Sequence, residues 1–369
     1  MSIKKRLVVH DIVRKDERMN SIKEQLHTDK IYAKDVLLAA DIGGTNSRFG
    51  IFYSTEGEQL VLELFLSSAE ITNFAQAVVQ VIAHVKNRYQ LVVRCASFAV
   101  AGAISTNGKT VKLTNVSITV DVDEIKEKTG LQKVVLINDF QAIAYGIPLL
   151  ASDDFVSVRS GTESSAGTHV IIGAGTGLGK ALFVVDQQGN PVRVLPSEGG
   201  HADFAVHSLF DYEFMRYCQR HSEHPLCIVT WEDAIAGRGI VALYRFLVET
   251  RDYQDNDVRK KLAHECTPET IFANRADDPA CADTYSLYGQ WYGRCIKNFA
   301  LEALAYGGIF IAGGIAAHNS SLFFEPLFMG ELTGCAVQAQ LIEDIPIKVI
   351  LNTQVGLYGA ANYFLTHFA

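Results

Sequence analysis

The chain is predicted to be an α/β protein of two domains that carry the same strand-rich motif twice. In two segments, at 41–48 and 173–180, an apolar strand ends in glycines and a second strand-like run follows. The two turns lie about 130 residues apart. Around them, strand-like stretches alternate with stretches of helical spacing, the pattern of α/β layers that place ligand sites at the C-terminal ends of strands. With 369 residues, 48 % of them hydrophobic, the chain can bury two sizeable cores.

Residues 38–49 read Leu-Ala-Ala-Asp-Ile-Gly-Gly-Thr-Asn-Ser-Arg-Phe. The apolar strand 36–40 ends in Asp41. Gly43 and Gly44 can turn the chain tightly enough for backbone N–H groups to converge on a phosphate. Thr45 and Asn46 add side-chain donors, and Arg48 adds a fixed positive charge. Asp41 would repel a phosphate unless a cation lay between them. The run therefore suits a magnesium nucleotide, with Asp41 reaching Mg²⁺ through water. The alternative is a plain Gly-Gly hairpin with an incidental Asp and Arg.

The second segment, 169–180, reads His-Val-Ile-Ile-Gly-Ala-Gly-Thr-Gly-Leu-Gly-Lys. Gly173, Gly175, Gly177 and Gly179 surround Thr176. A dinucleotide-binding turn would lead into a helix and then a strand ending in Asp or Glu. Here the glycines run into 180–186, Lys-Ala-Leu-Phe-Val-Val-Asp, which reads as a strand. The product is a hairpin turning at a phosphate, like the first. Two such hairpins suggest a duplicated fold that closes on one nucleotide from both sides.

The elements follow in order. Segments 37–40, 49–53 and 60–65 suggest a β-meander. Phe74, Val78, Val79, Val81, Ile82 and Val85 have helical spacing within 71–88. A strand is expected at 91–100, a short helix at 122–128, and a strand at 134–137 that ends in Asn138 and Asp139. Residues 140–145 read as helix, closed by Pro148. In the second half, strands are expected at 170–172, 181–185 and 347–351, and a further strand-to-glycine junction at 308–314. Helices are expected at about 208–220, 231–249, 267–275, 284–306 and 356–368. Residues 1–34 are polar and charged, with helix-compatible stretches such as 12–25. They read as a partly ordered N-terminal extension, with a docking helix for an oligomer partner as the alternative.

Composition excludes several classes. The net charge is −8 with acids and bases interspersed, so no basic stripe points to nucleic acid. The apolar stretch after Lys4, Lys5 and Arg6 is too short for a signal peptide, and no run is long enough for a membrane span. The seven cysteines lie at 95, 218, 227, 266, 281, 295 and 335, without Cys-x-x-Cys spacing. They read as reduced thiols of a cytoplasmic protein rather than a zinc site.

Three places carry candidate chemistry. Asn138 and Asp139 end a strand where α/β sheets place their sites, although Asp139 could instead cap the next helix. Residues 196–204, Pro-Ser-Glu-Gly-Gly-His-Ala-Asp-Phe, set Glu198 and His201 around a double glycine. That arrangement can face a small ligand or be a loop with a satisfied histidine. A metal site there lacks a third ligand. Glu232 begins a strongly periodic helix, where an acid is also favourable for the helix dipole. Together these acids, the amide and the imidazole are an inventory for binding adjacent hydroxyls. Two phosphate turns plus a polyol set imply phosphoryl transfer from a nucleotide to a hydroxyl.

The chain resembles the bacterial-type glucokinases, within the superfamily of sugar kinases, actin and heat-shock chaperone ATPases. Five segments carry the resemblance, in the family's order: Asp41-Ile-Gly-Gly-Thr-Asn-Ser-Arg48, Ile137-Asn-Asp-Phe140, Gly173-Ala-Gly-Thr-Gly-Leu-Gly179, Glu198-Gly-Gly-His201 and Ile311-Ala-Gly-Gly-Ile315. The resemblance implies a two-domain ribonuclease H-like (actin-like ATPase) fold with a cleft between a small and a large domain. It implies a small α/β domain of 35–150 plus 352–369, a large domain of 151–351, and an N-terminal extension of 1–34. It places ATP phosphates at the Asp41 and Gly173 turns and adenosine near Gly313 and Gly314. Asn138, Asp139, Glu198, His201 and Glu232 match glucose-binding positions, with Asp139 the base.

Ala103 stands where relatives often carry Pro, and Ser197 where they often carry Gly. The zinc motif of the related repressor and kinase group is absent. The expected reaction is ATP-dependent phosphorylation of glucose at its 6-hydroxyl, with ATP and Mg²⁺, in a cytoplasmic homodimer. The alternatives are a kinase for another hexose, a broad hexokinase, or a non-catalytic sugar sensor.

Overall fold

The structure, a computed structural model, describes residues 22–28, 35–43, 46–53, 60–113, 118–161, 167–222, 228–334 and 337–368. Gly44, Thr45, the side chain of Asn46, Cys227, Cys335 and most of the 1–34 extension lie outside the described residues. The chain divides into two compact units, residues 1–149 with 354–369, and residues 150–353. Among the described residues no helix is long and apolar enough to cross a membrane.

The first unit is built on a six-stranded sheet. Its strands are Lys23–Leu26 (β1), Asp35–Ile42 (β2), Asn46–Tyr53 (β3), Leu60–Ser67 (β4) and Val92–Val100 (β5). A separate two-stranded ribbon, Thr110–Lys112 (β6) and Thr119–Asp121 (β7), precedes the sixth, Lys133–Asn138 (β8). The order is β1-β4-β3-β2-β5-β8. β2, β3 and β4 form the antiparallel meander, and β2, β5 and β8 run parallel. β1 departs from the helix-compatible reading of 12–25. It pairs antiparallel with β4, whose open edge supplies the hydrogen bonds that a short polar helix would have to make alone.

Three helices follow in this unit: Phe74–Tyr89 (α1), Val122–Thr129 (α2) and Asp139–Gly146 (α3). Asn73 caps α1 by accepting from the Gln76 N–H at 2.7 Å. Phe74 on α1 then packs edge-on to Phe98 of β5, with ring centroids 5.2 Å apart, and each such buried ring contributes ~1.5–3 kcal/mol. The C-terminal helix, Val355–Phe368, packs on α3 and β2. Gly359 permits this, because a Cβ there would collide with the Ala142 carbonyl oxygen.

The second unit repeats the plan. Its strands are Phe155–Arg159 (β9), His169–Ala174 (β10), Leu178–Val185 (β11), Pro191–Ser197 (β12), Gly308–Ala312 (β13) and Ile347–Ile350 (β14). The order is β12-β11-β10-β13-β14-β9. Read from β12, the neighbours are antiparallel, antiparallel, parallel and parallel, the same series as β4-β3-β2-β5-β8. The duplication therefore extends to whole sheets. Each sheet adds one antiparallel strand, β1 beside β4 and β9 beside β14. Strand β12 was not foreseen because it holds Pro191 and Pro196. Its place at the sheet edge tolerates them.

Nine helices surround this sheet among the described residues: Leu209–His221 (α4), Trp231–Ile235 (α5), Gly237–Thr250 (α6), Asp257–Leu262 (α7), Pro268–Ala273 (α8), Pro279–Ala303 (α9), Gly314–His318 (α10), Pro326–Thr333 (α11) and Ala339–Asp344 (α12). α9 buries Tyr288, Trp291 and Tyr292 completely. It starts five residues before the expected 284, because Asp278 caps it from Pro279, accepting from the Cys281 N–H at 3.0 Å.

The expected single helix 231–249 is broken at Ala236, whose backbone is extended (φ −66°, ψ 168°). A charged network lies beside this core. Arg294 Nη1 meets Asp211 Oδ2 at 2.8 Å, while Arg294 Nε and Lys297 Nζ meet Glu331 Oε1 at 3.0 and 3.2 Å.

Candidate active site

Strand β2 delivers Asp41 to the start of the first glycine turn, directly across the hairpin from Arg48. Burial raises the pKa of the Asp41 carboxyl above the ordinary carboxylate range, and the Arg48 charge works against that rise. The C-terminal helix approaches closely: a Cβ on Gly356 would lie 2.8 Å from Asp41 Oδ2. The turn is pinned from below, where Ser68 Oγ donates to the Gly43 carbonyl at 2.8 Å and lies 2.9 Å from Ser47 Oγ. Arg48 also has a partner within the sheet. Its Nε lies 2.9 Å from Oε1 of the buried Glu63. Gly44 and Thr45 lie outside the described residues.

The second turn joins β10 to β11, as the strand-like run after the glycines implied. The Gly175 N–H donates to the Gly177 carbonyl at 2.9 Å, and the Gly175 carbonyl accepts from Gly237 N–H at 2.9 Å. The break at Ala236 frees Gly237, at the start of α6, for that second bond. Thr176 is exposed at the tip. A Cβ at Gly175 would meet nothing within 4 Å, so the turn opens onto free space there. Beside it, Gly173 of β10 pairs with Ala312 of β13, which brings Gly313 and Gly314 next to the second turn. Gly313 has φ +92° and leaves only 2.5 Å from a would-be Cβ to the Ala174 carbonyl. Gly314 faces open space.

Asn138 and Asp139 stand at the C-terminal end of β8. The cap of α3 is Asn138 rather than Asp139. Its Oδ1 accepts from the N–H groups of Phe140 (3.1 Å) and Gln141 (3.2 Å). Its Nδ2 donates to Asp139 Oδ1 at 3.0 Å, and the Phe140 N–H donates to the same oxygen at 3.0 Å. Asp139 is thus the first helical residue, with its carboxylate oriented by two donors.

In the second unit, Glu198 and His201 flank one short 3₁₀ turn, Gly199–His201. Their side chains are about half exposed, and His201 Nε2 lies 3.8 Å from Glu198 Oε2. Gly200 fits directly against the Leu178 carbonyl oxygen, where a Cβ would collide. Glu232 is buried nearby. Its Oε2 accepts from the Leu178 N–H at 2.9 Å and its Oε1 meets Arg238 Nη2 at 2.8 Å. The Trp231 N–H donates to the Ala202 carbonyl at 2.9 Å, which ties the two segments together. The structure therefore gathers Glu198, His201 and Glu232 around Leu178, the residue that ends the second glycine turn.

The residues that hold these groups, Glu63, Arg238 and Ser68, are not among those the sequence patterns single out. Glu63 had a signal: it is the one acid in the apolar run 60–66. Arg238 and Ser68 had none, because only folding brings them to Glu232 and Gly43.

Comparison with known proteins agrees with this geometry. The family described as Glucokinase matches residues 38–367. The glucokinase of Nostoc punctiforme is 32% identical over 88% of this chain and 98% of that protein. The glucokinase of Photorhabdus laumondii is 31% identical over 88% of this chain and 96% of that protein. A crystal structure of glucokinase from an Antarctic psychrotroph superposes with a TM-score of 0.69 at 28% identity, covering 89% of this chain and 98% of that one. The glucokinase of Balamuthia mandrillaris, solved in complex with glucose, shares the fold with a TM-score of 0.73 at 21% identity, covering 90% of this chain and 94% of that one. With the family matched across both glycine turns, the Asn138–Asp139 strand end and the Glu198–His201 turn, the chain belongs to the glucokinase family.

Proposed function

We propose that the protein transfers the terminal phosphoryl group of ATP to the 6-hydroxyl of glucose. The observation that carries this reading is the repeated hairpin. Two topologically equivalent strand–glycine turn–strand units stand in a chain that matches the glucokinase family over residues 38–367. One unit also supplies a carboxylate at a strand end, and the other a turn of exposed polyol-binding groups.

Each residue has a part in the proposal. Asp139 accepts the proton of the attacking hydroxyl, its carboxylate oriented by Asn138 Nδ2 and the Phe140 N–H. The hydroxyl can lose its proton late in the transfer. Glu198 and His201 bind sugar hydroxyls from the Gly199–His201 turn. Glu232 shapes that site and, through Leu178, the adjoining glycine turn. Phosphoryl transfer is largely a matter of charge and position. The backbone N–H groups of both glycine turns meet the phosphate charge.

The donor set also fits magnesium. A single carboxylate beside a phosphate turn is what Mg²⁺ takes when phosphate oxygens and water complete its shell. Among the described residues no group of three His, Cys, Asp or Glu forms a protein-only cage. Asp41 would hold the ion through water, and the bound ion would neutralise phosphate charge.

The test is a coupled assay of the purified protein across a sugar panel with ATP. Glucose is expected to give the highest kcat/KM. A preference for a carboxylate acceptor, or for no sugar at all, would contradict the assignment of Glu198 and His201.

A further inference from the structure

We infer that the leader strand β1 is a working part of the nucleotide site, positioning Arg48 through His27 and the buried carboxylate of Glu63. The inference rests on the reading of the 41–48 turn as a phosphate site.

Glu63 is 1 % exposed, in the middle of β4. A carboxylate at that depth is tolerated only when its oxygens have charged or polar partners. Three elements supply them. Arg48 Nε, from the phosphate hairpin, lies 2.9 Å from Oε1. Gln354 Nε2, just before the C-terminal helix, donates to Oε2 at 2.7 Å. His27 Nε2, from the residue after β1, lies 3.2 Å from the same Oε2.

Two of these elements also flank Asp41. Arg48 faces Asp41 across the hairpin, and Gly356 of the C-terminal helix abuts its carboxyl. Arg48 is 26% exposed, so a guanidinium ion-paired to Glu63 on one side still reaches the surface.

The leader segment is held firmly enough to matter. The His27 N–H donates to the Val61 carbonyl at 2.9 Å, which extends the β1–β4 ladder by one bond. Glu24 of β1 meets His84 and Arg88 of α1, each at 2.7 Å. The family match begins only at residue 38, so β1 lies ahead of it. Without His27, Glu63 would depend on Gln354 and Arg48 alone. The added demand on Arg48 would draw the guanidinium toward β4 and away from a phosphate.

The experiment uses the full chain with His27→Ala, His27→Gln and Glu24→Ala. Three quantities are read: affinity for a non-hydrolysable ATP analogue by calorimetry, KM for glucose, and Tm. His27→Ala is expected to weaken analogue affinity about three- to tenfold, with the glucose KM within about twofold of the wild-type value. His27→Gln, whose amide can still donate to Glu63, should recover most of that loss. Glu24→Ala breaks the other anchor of the same strand and should lower Tm with analogue affinity unchanged.

The inference is overturned if His27→Ala lowers only Tm, or if Glu24→Ala and His27→Ala weaken the analogue equally. In either case β1 would be an edge cover and nothing more. Arg48→Ala separates the two levels. If it leaves analogue affinity intact, the phosphate reading of the turn fails together with the inference. If it weakens the analogue while His27→Ala does not, the inference alone fails.

Discussion

Replacing Gly175 by alanine should separate folding from nucleotide binding. In the fold, a Cβ at this position meets nothing within 4 Å. Gly175 is also not among the glycines with positive φ. Its N–H and carbonyl both have partners inside the unit, and alanine keeps both bonds. Substitution should therefore leave stability unchanged or raise it by ~0.4–1 kcal/mol, by narrowing the unfolded ensemble.

For the nucleotide the same methyl group stands where a phosphate must come close. Losing one hydrogen bond to a charged phosphate costs ~1.5–3 kcal/mol, which is about 10–150-fold in affinity. Calorimetric titration with a non-hydrolysable ATP analogue measures this directly, with Tm and the glucose KM as controls. The expected signature is a wild-type or higher Tm, a near-normal glucose KM and weak analogue binding. A folded variant with normal analogue affinity and a defect confined to glucose would refute the role of the second turn.

Other changes give distinct outcomes. Asp139→Ala should keep sugar and ATP affinity within an order of magnitude while kcat falls ~10²–10⁴-fold; near-normal turnover would remove Asp139 from the mechanism. Glucose should be preferred to N-acetylglucosamine, by less than the ~10⁴–10⁵ that a site built on hydroxyl hydrogen bonds can reach, since Glu198 and His201 are half exposed. Comparable kcat/KM for the two sugars would end the use of the Glu198–His201 turn as a specificity element. Glu331→Gln should destabilise the second unit by ~3–5 kcal/mol, the cost of breaking a buried pair. Burial alone would raise the Glu331 pKa, but the hydrogen bonds and charge of Arg294, joined by Gln290 and Lys297, together outweigh it and bring the value to about 2. Its stabilisation is therefore fully present above the ordinary carboxylate range and lost as pH falls toward about 2. Urea midpoints of the variant and wild type should converge at low pH; a constant gap would refute this.

Much of the fold was legible because its signals are local. Apolar runs ending in glycines and followed by strand-like runs mark the two hairpins. The spacing of Phe74, Val78, Val81 and Val85 marked α1. The features that were not legible depend on partners distant in sequence. β1 is polar and short, and becomes a strand only because β4 offers it an edge.

Ala236 breaks a continuous helical pattern so that the Gly237 N–H can reach Gly175, some 60 residues away. Capping, one of the two readings of Asp139, falls to Asn138, since an amide can accept from the helix and donate to the carboxylate together. Of the sugar set Asn138, Asp139, Glu198, His201 and Glu232, the last three lie together in the second unit around Leu178, while Asn138 and Asp139 stand at the end of β8 in the first. The part played by Leu178 could not be seen, because it acts through its backbone.

Phosphorus NMR of a single reaction reads both the transfer and the carbon that receives the phosphoryl group. Purified protein is incubated with ATP, Mg²⁺ and glucose, with the Asp139→Asn variant run in parallel. ADP and glucose 6-phosphate are expected in equal amounts from the wild type, and neither above background from the variant. ADP with free phosphate, a phosphate on another carbon, or equal turnover in the variant would contradict the proposed transfer.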